Sequence, residues 1–417
     1  MITPAYAMTA TERVLPRLAL DFTTGALDPR VTVARALNTA TRVNASGLIE
    51  VVNADLPRFD YSPTTLAPKG LLIEEARTNS LTYSSDLSNG AWNKTNLNTT
   101  GTPPYVDVAT APDGTDTADK MIENTATSVQ HQALRSFTGT PSATYTVSIF
   151  AKAAGRDRMT VFIGGPSYAA TFDLANGTVI SGAASRIEDY GNGWYRCIST
   201  ANANAGGAFN TYFQLNDGSS TFYTGDGTSG IYIWGAQLEA GAFATSYIPT
   251  TTTSVTRNAD AVSMTGTNFS DWFNQSEGAI SVEFNKPIAA SNSSFVRIWE
   301  MSDGTTSNRM RMMLGATTTA NYDCTSGSVA AGFMDMGAYS ANTNAKMVGA
   351  YKTDSFAASQ NGASPSTDVS GTISWTLNKL VLGGNATGGG SYLNGYIRKF
   401  MFYPQRLINN EVRAFAK

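Results

Sequence analysis

The sequence predicts an all-β protein of the sandwich or barrel class, and three observations support this. Apolar and polar residues alternate in several short runs, which is typical of half-buried strands. Asp-Gly and Asn-Gly dipeptides, which favour turns, separate these runs. Helical periodicity is nearly absent, so strands alternating with helices in βαβ units are disfavoured.

The clearest alternation predicts strands at residues 145–151, 159–163, 280–285, 309–312 and 396–403. The turn-like sequence AAGRDR lies between the first two and predicts a hairpin there. One short helix is predicted near the C-terminus, because Ile408, Val412 and Phe415 are spaced i, i+4, i+7. Asn409 or Asn410 is its expected N-cap, and we expect the helix to seal one edge of a sheet. Four tryptophans are predicted to be core residues: Trp194, Trp234, Trp272 and Trp299.

Composition shifts divide the chain into four parts. Residues 1–79 carry several Arg and Pro and little sustained alternation, which predicts an extended arm with isolated strands. Residues 80–248 form a first strand-rich domain. Residues 249–257 are a Thr-rich connector, ordered or semi-flexible. Residues 258–417 form a second strand-rich domain that ends in the short helix.

Charge and cysteine content exclude several classes of protein. Of the 417 residues, 15% are charged, against about 25% in a typical globular protein. The net charge of −3 argues against a sequence-independent grip on nucleic acid, which needs a basic face. Cys197 and Cys324 are too few for a disulfide scaffold or a zinc site, and they indicate two free thiols in a chain folded in a reducing cytosol. Neither a secretory signal nor an apolar run of about 18 residues is present, so membrane insertion is not expected.

Several stretches resemble virion structural proteins of tailed phages. The stretch LALDFTTGALDPRVTVARALNTATRVNASGLIEVV and the later GLLIEEARTN resemble the opening of such proteins. SSDLSNGAWNK, TYTVSIFAKA, GNGWYRC and GDGTSGIYIWGAQLEAGAFATSYIPT resemble the jelly-roll module that follows, which is akin to carbohydrate-binding modules. The ending LNGYIRKFMFYPQRLINNEV resembles the last strand and helix of laminin-G/concanavalin A-like sandwiches. Residues 305–375 carry no resemblance, and their loops are unassigned.

The resemblance implies a phage surface protein that folds in the host cytoplasm and is then carried on the virion. The leading expectation is a component of a tail fibre or tail spike that recognises host glycans. The alternative is a head fibre or capsid decoration protein, and the third hypothesis is a polysaccharide depolymerase. Relatives are often trimeric, so a homo-oligomer such as a trimer is expected, with other virion proteins and host surface polysaccharide as partners.

Catalytic constellations are hard to find in the sequence, so the chain is predicted not to be an enzyme. His131 is the one histidine, and no G-x-S-x-G nucleophile motif accompanies it. A glycosidase needs two carboxylates facing each other across a cleft. Glu283 and Glu300 stand singly on their predicted strands, and the adjacent Glu74 and Glu75 would face opposite sides of a strand.

Glycan binding would use exposed aromatic rings, because the C–H face of a sugar packs against them. The candidates are Trp92, Tyr105, Tyr168, Tyr212 and Tyr223 in the first domain, and Trp375 and Tyr392 in the second. Structural residues of the core are the competing explanation for each of them. Tyr392, in a glycine-rich loop, is the one expected to be most exposed.

Two further hypotheses concern the arm and a metal. Six arginines of the arm are candidates for attachment to the virion, because guanidinium groups suit subunit interfaces: Arg13, Arg17, Arg30, Arg35, Arg42 and Arg58. Cofactors are not expected, apart from a structural calcium, for which four aspartates in Gly-rich turns are weak candidates: Asp113, Asp116, Asp119 and Asp226. The competing interpretation is that these aspartates bond their own turns.

Overall fold

The computed structural model describes residues 15–99, 105–164, 169–204, 206–287, 295–315, 319–388 and 390–417. Nearly all regular structure in these residues is β-strand, arranged in sandwich sheets, and a short helix lies at the C-terminal end. The all-β prediction is therefore confirmed. No helix of this part of the chain has the length and apolar character needed to span a membrane.

The elements follow one another in three groups along the chain. Residues 15–79 contain β1 Leu18–Asp21, a 3-10 helix Phe22–Thr24, β2 Thr32–Ala34, β3 Ala40–Val43, β4 Ile49–Val52, β5 Phe59–Tyr61, β6 Pro68–Ile73 and β7 Arg77–Asn79. The middle group contains β8 Asn93–Thr95, β9 Asp119–Ile122, β10 Val129–Gln130, β11 Gln132–Thr138, β12 Thr144–Ala154, β13 Arg158–Ile163, β14 Ala170–Asp173, β15 Thr178–Ser181, β16 Ser185–Asp189, β17 Tyr195–Asn202, β18 Ala208–Asn216, β19 Phe222–Tyr223 and β20 Gly230–Ala240. The last group contains β21 Val255–Arg257, β22 Ala261–Thr265, α1 Thr267–Ser270, β23 Glu277–Asn285, β24 Val296–Ser302, β25 Arg309–Leu314, β26 Thr319–Ser326, β27 Val329–Ala338, β28 Asn344–Lys352, β29 Phe356–Gln360, β30 Ser366–Asp368, β31 Lys379–Leu382, β32 Gly395–Tyr403 and α2 Asn409–Phe415.

Two β-sandwiches contain most of these strands. In the first, a six-stranded sheet of order β15-β14-β13-β18-β11-β8 packs on a five-stranded sheet of order β16-β17-β12-β20-β9. In the second, an eight-stranded sheet contains β30-β29-β28-β23-β32-β6-β5, with β1 also paired to β32. It packs on a seven-stranded sheet of order β2-β22-β31-β24-β25-β26-β27. Each sandwich therefore has its own hydrophobic core between its two sheets.

The five predicted strands are confirmed as β12, β13, β23, β25 and β32, but the predicted hairpin is wrong. β12 pairs with β17 and β20, whereas β13 pairs with β14 and β18. The turn between them thus crosses from one sheet of the sandwich to the other. Trp194, Trp234, Trp272 and Trp299 are all buried, as predicted.

The prediction of an extended arm is wrong for residues 15–79. β1, β2, β5 and β6 belong to the sheets of the second sandwich, where Leu18 and Leu20 are fully buried. The β3–β4 hairpin instead packs Val43 and Ile49 against the outer face of the first sandwich's five-stranded sheet, near Trp234. The segment is folded because its apolar residues, although weakly periodic, are buried against both sandwiches.

The connector and the C-terminal helix also differ in detail from expectation. β21, at the end of the connector, pairs with β7. Helix α2 has Ile408 as its N-cap, since Glu411 accepts a hydrogen bond from the Ile408 backbone N–H at 2.8 Å. Ile408 itself is exposed, and Val412 is fully buried. The helix covers the outer face of the eight-stranded sheet rather than an edge. Phe415 stacks on Tyr403 with ring centroids 5.2 Å apart.

The two cysteines lie in different sandwiches. Cys197 is on β17 and Cys324 is on β26, and both are free and buried. Burial raises the pKa of each thiol above its usual range. Both groups therefore stay protonated and unreactive at neutral pH.

A buried ion network joins the N-terminal segment to the start of the second sandwich. Arg58 donates to Glu74 at 2.7 Å and to Asp260, and Arg35 donates to the same Asp260 at 2.9 Å. Arg257 lies beside both acids, 3.5 Å from Glu74 and 3.9 Å from Asp260. All three arginine side chains have no solvent exposure. The network therefore links positions near 35, 58, 74 and 260 of the chain.

The same network reaches the end of the first sandwich. Glu74 accepts hydrogen bonds from the backbone N–H of Ser246 at 2.9 Å and from its hydroxyl at 2.7 Å. Burial alone would raise the pKa of Glu74, but Arg257 and Arg58 outweigh it and hold that pKa well below its usual range. The carboxylate is therefore ionised, and it connects all three parts of the chain.

Replacing Arg58 with methionine should destabilise the protein strongly, because Glu74 and Asp260 would be left as buried charges without their main partner. We expect the free energy of unfolding in urea to fall by about 3–5 kcal/mol. The matched control is Arg30→Met, whose ion pair with Asp28 is partly exposed and should contribute only about 0–1 kcal/mol. Equal, small effects of both substitutions would show that the network does not hold the three parts together.

Candidate functional site

A cleft of about 500 Å³ lies where the N-terminal segment and the two sandwiches meet. It borders the buried ion network, because Glu74 belongs to both. Its lining comes from residues far apart in the chain: Thr41, Arg42, Asp60 and Lys69 from the N-terminal segment, Arg186, Glu188, Tyr190, Arg196 and Phe243 from the first sandwich, and Asn285, Asn342, Asn344, Asn394, Tyr396 and Arg398 from the second. Each part of the chain thus supplies one wall.

The wall from the first sandwich carries a tyrosine hydroxyl next to an ion pair. The ring of Tyr190 packs edge-on against Phe150, with centroids 4.8 Å apart. Burial, helped by the charge of Glu188, raises the pKa of Tyr190 to about 12. Arg186 donates to Glu188 at 2.9 Å. Burial would raise the pKa of Glu188, but Arg186 and Arg196 outweigh it and lower that pKa. This wall therefore offers a neutral hydroxyl and an ionised, paired carboxylate.

The wall from the N-terminal segment is centred on Asp60. This carboxylate accepts hydrogen bonds from the Val43 backbone at 2.7 Å and from the Tyr396 hydroxyl at 2.9 Å. The Lys69 ammonium nitrogen lies 3.2 Å from a carboxylate oxygen of Asp60 and 4.4 Å from the centre of the Tyr396 ring. Burial alone would lower the pKa of Lys69, but the negative charge of Asp60 has the larger effect and raises that pKa. Lys69 and Asp60 are thus a neutralised pair with lysine N–H groups left to donate.

The wall from the second sandwich is rich in amides. Asn285 donates to the side-chain oxygen of Asn344 at 3.0 Å. The side-chain oxygen of Asn285 is buried and has no hydrogen-bond partner in the described part of the chain. Asn342 is exposed beside them. Arg398 is paired with Glu283 at 2.6 Å. This wall therefore presents uncharged acceptors and donors to whatever occupies the cleft.

Taken together, the walls suit an uncharged ligand with many hydroxyl groups. The cations Arg42, Lys69, Arg186 and Arg398 each pair with a carboxylate. An ionic ligand would have to compete with those pairs, which costs free energy. A polyhydroxylated ligand can instead bond the free amides, the Tyr190 hydroxyl and the remaining N–H groups without breaking them.

Seven aromatic residues were predicted to bind glycans, and the six that lie in the described part of the chain do not line this cleft. Trp92, Tyr223 and Trp375 are buried at 4%, 6% and 4% exposure, so the prediction of exposed rings is wrong for them. Trp92 donates to the Tyr83 carbonyl, and Trp375 donates to the Gln275 carbonyl. These tryptophans are structural because folding satisfies their N–H groups internally.

The remaining candidates have mixed outcomes. Tyr105 and Tyr392 are half-buried and lie outside the cleft. Tyr212 is half-buried on the outer face of the six-stranded sheet. Tyr168 lies outside the described residues. A glycan role stays a prediction for these positions.

The prediction of virion attachment is wrong for two of the six arginines. Arg35 and Arg58 are fully buried inside the ion network, so they cannot contact another virion protein. Arg30 pairs with Asp28, and Arg42 pairs with Glu50 beside the cleft. Arg17 is exposed, and Arg13 lies outside the described residues.

The four aspartates proposed for calcium do not converge. Asp113 and Asp226 accept hydrogen bonds from backbone N–H groups of their own turns. Asp116 accepts from Thr110. Asp119 is buried, and burial raises its pKa to about 6. The described residues contain no group of three or more His, Cys, Asp or Glu side chains placed to hold a metal ion.

One loop of the first sandwich surrounds a cation supplied by the chain itself. The Lys94 ammonium donates to four backbone carbonyls, those of Leu87, Ser88, Asn89 and Trp92, at 2.9–3.3 Å. Desolvation lowers the pKa of Lys94. Four converging carbonyls are the kind of oxygen cage that also suits calcium. Here the cage is filled by an ammonium group.

Sequence reasoning missed the cleft because its residues come from three distant regions. Many of them are Asn, Arg, Glu or Thr, which are ordinary surface residues in a strand-rich chain. The irregular spacing of Asn342, Asn344 and Asn394 does not form a recognisable motif. One usable signal lies in β16, whose sequence is SRIED. Its Arg186 and Glu188 are two residues apart, so they share one face of the strand.

Comparisons with known proteins give only distant structural similarity. No protein-family model matches the sequence, and no curated protein does. The CBM40 of the Ruminococcus gnavus IT-sialidase, bound to α2,3-sialyllactose, is similar with a TM-score of 0.30 and 13% identity, over 34% of this chain and 84% of that one. The NanB sialidase of Streptococcus pneumoniae gives a TM-score of 0.31 and 11% identity, over 37% and 26%. A SAP-like pentraxin of Limulus polyphemus gives 0.26 and 14%, over 34% and 70%. These scores are too low to carry an argument about function.

Replacing Lys94 with methionine should open the 87–92 loop. The apolar side chain cannot bond the four carbonyls, so we expect the free energy of unfolding to fall by about 1–2 kcal/mol. Urea unfolding measures the change, and added calcium should restore part of it in the variant. The control is Lys352→Met, because the Lys352 pair with Glu277 is exposed. A stability equal to that of the control would contradict a structural role for the Lys94 cage.

Proposed function

We propose that this chain is a surface component of a bacteriophage virion that binds host glycans in the cleft between its two sandwiches. The virion assignment is supported by the sequence stretches that resemble tailed-phage structural proteins. Glycan binding is supported by the cleft, whose walls combine asparagine amides, a tyrosine hydroxyl and paired charges. That combination is the single observation on which the binding proposal rests.

The size of the cleft fits an oligosaccharide. Its volume of about 500 Å³ lies within the range of about 300–1,000 Å³ that is usual for ligand sites. Sugars are recognised by a few placed polar groups next to apolar surface. Phe243 supplies apolar surface, and Asn285, Asn342 and Tyr190 supply the polar groups.

The charge state of the cleft favours binding over hydrolysis. Glycoside hydrolysis needs one carboxylic acid held protonated near neutral pH, in addition to an ionised carboxylate. Two of the acids in the cleft, Glu74 and Glu188, have their pKa values lowered by neighbouring arginines. A third, Asp60, already accepts hydrogen bonds from Val43 and Tyr396. We therefore propose a binding protein and not a depolymerase.

A homo-oligomer, such as a trimer, is part of the same proposal. Apolar side chains of the second sandwich are exposed on the edge strand β27 and close to β30: Val329, Phe333 and Val369. An edge strand with exposed apolar residues favours association with another chain. Mass photometry of the purified protein would give the number of copies, and a monomer at all concentrations would contradict this part.

Removing the Tyr190 hydroxyl should weaken glycan binding without unfolding the protein. The variant Tyr190→Phe keeps the ring against Phe150 and loses only a group that has no hydrogen-bond partner in the described residues. We expect the dissociation constant for a host-derived capsular oligosaccharide to rise about 2–10-fold, the value of one hydrogen bond. Isothermal titration calorimetry measures it.

The control is Tyr105→Phe, which removes a hydroxyl outside the cleft. Equal affinities of the two variants would contradict binding in the cleft. Incubating the wild-type protein with capsular polysaccharide should yield no new reducing ends. Their appearance would instead support the depolymerase hypothesis.

The virion role has a separate test. Immunogold labelling of phage particles with antibodies against this chain should place gold on the tail fibre or spike. Gold on the head would favour the alternative of a head fibre or decoration protein. Particles that carry no label, although the same antibodies detect the chain in infected cells, would overturn the virion assignment.

A further inference from the structure

Lys286 is a buried lysine of the second sandwich that does not line the cleft. It directly follows β23, and it is 3% exposed. Its ammonium nitrogen donates to the Leu393 carbonyl oxygen at 3.1 Å. Burial lowers the pKa of Lys286 to about 8, although the charge of Glu75 acts in the opposite direction. The neutral amine, which is the nucleophilic form, is therefore more accessible here than at an exposed lysine.

The backbone at Lys286 touches the segment that leads into β32. β23 and β32 are antiparallel neighbours, and Asn285 is directly opposite Tyr396. Gly395 approaches so closely that a Cβ atom added there would lie 3.1 Å from the Cα atom of Lys286. Asn394, the residue before this glycine, is therefore a neighbour of the lysine in space, although the two residues are far apart in the chain.

Glu75 holds the side-chain amide of Asn394 at both ends. The Glu75 backbone N–H donates to the amide oxygen at 2.9 Å, and the amide nitrogen donates to one Glu75 carboxylate oxygen at 3.1 Å. The other carboxylate oxygen pairs with Arg77 at 2.5 Å. An N–H on the amide oxygen stabilises negative charge that develops there, and a carboxylate beside the nitrogen can pass a proton to it. The amide carbon is thus prepared for attack by a nucleophile.

We propose that Lys286 and Asn394 form an intramolecular isopeptide bond, with Glu75 as the catalytic carboxylate. The Nζ atom of Lys286 attacks the Cγ atom of Asn394, and the Glu75 backbone N–H stabilises the oxyanion. The Glu75 carboxylate takes a proton from the attacking nitrogen and gives it to the departing NH2 group. The Nζ–Cγ bond forms, the Cγ–Nδ2 bond breaks and one ammonia leaves, so the step needs no oxidant, reductant or cofactor.

The reaction requires movement of the lysine side chain alone. The amine contacts the carbonyl of Leu393, the residue before Asn394, and it must approach Cγ to about 3–3.5 Å. The flexible four-carbon side chain of lysine supplies this movement. The bond closes a loop through most of the second sandwich, and such a cross-link stabilises a fold by constraining the unfolded chain, as a disulfide does. It does not depend on glycan binding in the cleft.

Intact-mass spectrometry of the purified full chain tests the bond, after incubation at mildly alkaline pH until the mass is constant. We expect a mass below that of the sequence by one ammonia, about 17 Da. Trypsin should then give a branched peptide that joins residues 258–297 to residues 380–398, because the bond connects these two fragments. A wild-type mass equal to that of the sequence would overturn the inference.

Variants assign the chemistry to its residues. Lys286→Met and Asn394→Ala should each keep the full mass of their own sequence, because one reacting group is gone. Glu75→Gln should slow the loss of ammonia by at least about tenfold, since the amide cannot carry the proton. The matched control is Lys379→Met, a half-buried lysine of the same sandwich, which should lose ammonia like the wild type. An equal rate in Glu75→Gln would overturn the role of the carboxylate.

A competing reaction at the same asparagine makes the branched peptide the decisive result. Asn394 can also lose ammonia by cyclising onto the backbone nitrogen of Gly395, which gives the same change in mass without a branch. Loss of ammonia that persists in Lys286→Met, or that occurs in the wild type without the branched peptide, would overturn the inference. The wild-type peptide decides the outcome even if thermal melting shows that a variant does not fold.

Discussion

The buried contact of three arginines with Glu74 and Asp260 is the constraint on which the arrangement of this protein depends. Charges without solvent must be paired, because an unpaired buried charge costs several kcal/mol, roughly 3–5 when one partner is lost. Two of these pairs join residues more than 200 positions apart, since Asp260 lies 202 positions from Arg58 and 225 positions from Arg35. The N-terminal segment is thereby held between the two sandwiches, although its own strands are only three to six residues long.

The cleft is a consequence of this arrangement. The β3–β4 hairpin packs on one sandwich, and β5 and β6 extend a sheet of the other. The space left between them is walled by groups that already satisfy one another's charges. Because these charges are already paired, such a site favours ligands that need hydrogen bonds more than ionic contacts.

The errors of sequence-based prediction have a common physical cause. Arg35 and Arg58 were expected at a virion interface because guanidinium groups suit subunit interfaces, and they are buried because they share Asp260, an acidic partner more than 200 positions away. Trp92 and Trp375 were expected to contact sugars, yet each finds a backbone carbonyl for its indole N–H and packs inside. Local composition describes what a side chain can do, whereas its burial depends on partners that local composition does not contain.

The sequence by itself determined the all-β class, the main strands, the buried tryptophans Trp194 and Trp299, and the terminal helix. These properties depend on periodicity over a few residues, because the geometry of a strand or helix fixes which side chains share a face. Tertiary structure alone decided that β12 and β13 lie in opposite sheets, that residues 15–79 are folded, and that Asn285 and Tyr190 line the same cleft. Such contacts depend on register and on packing between distant segments, and nothing in a local pattern encodes them.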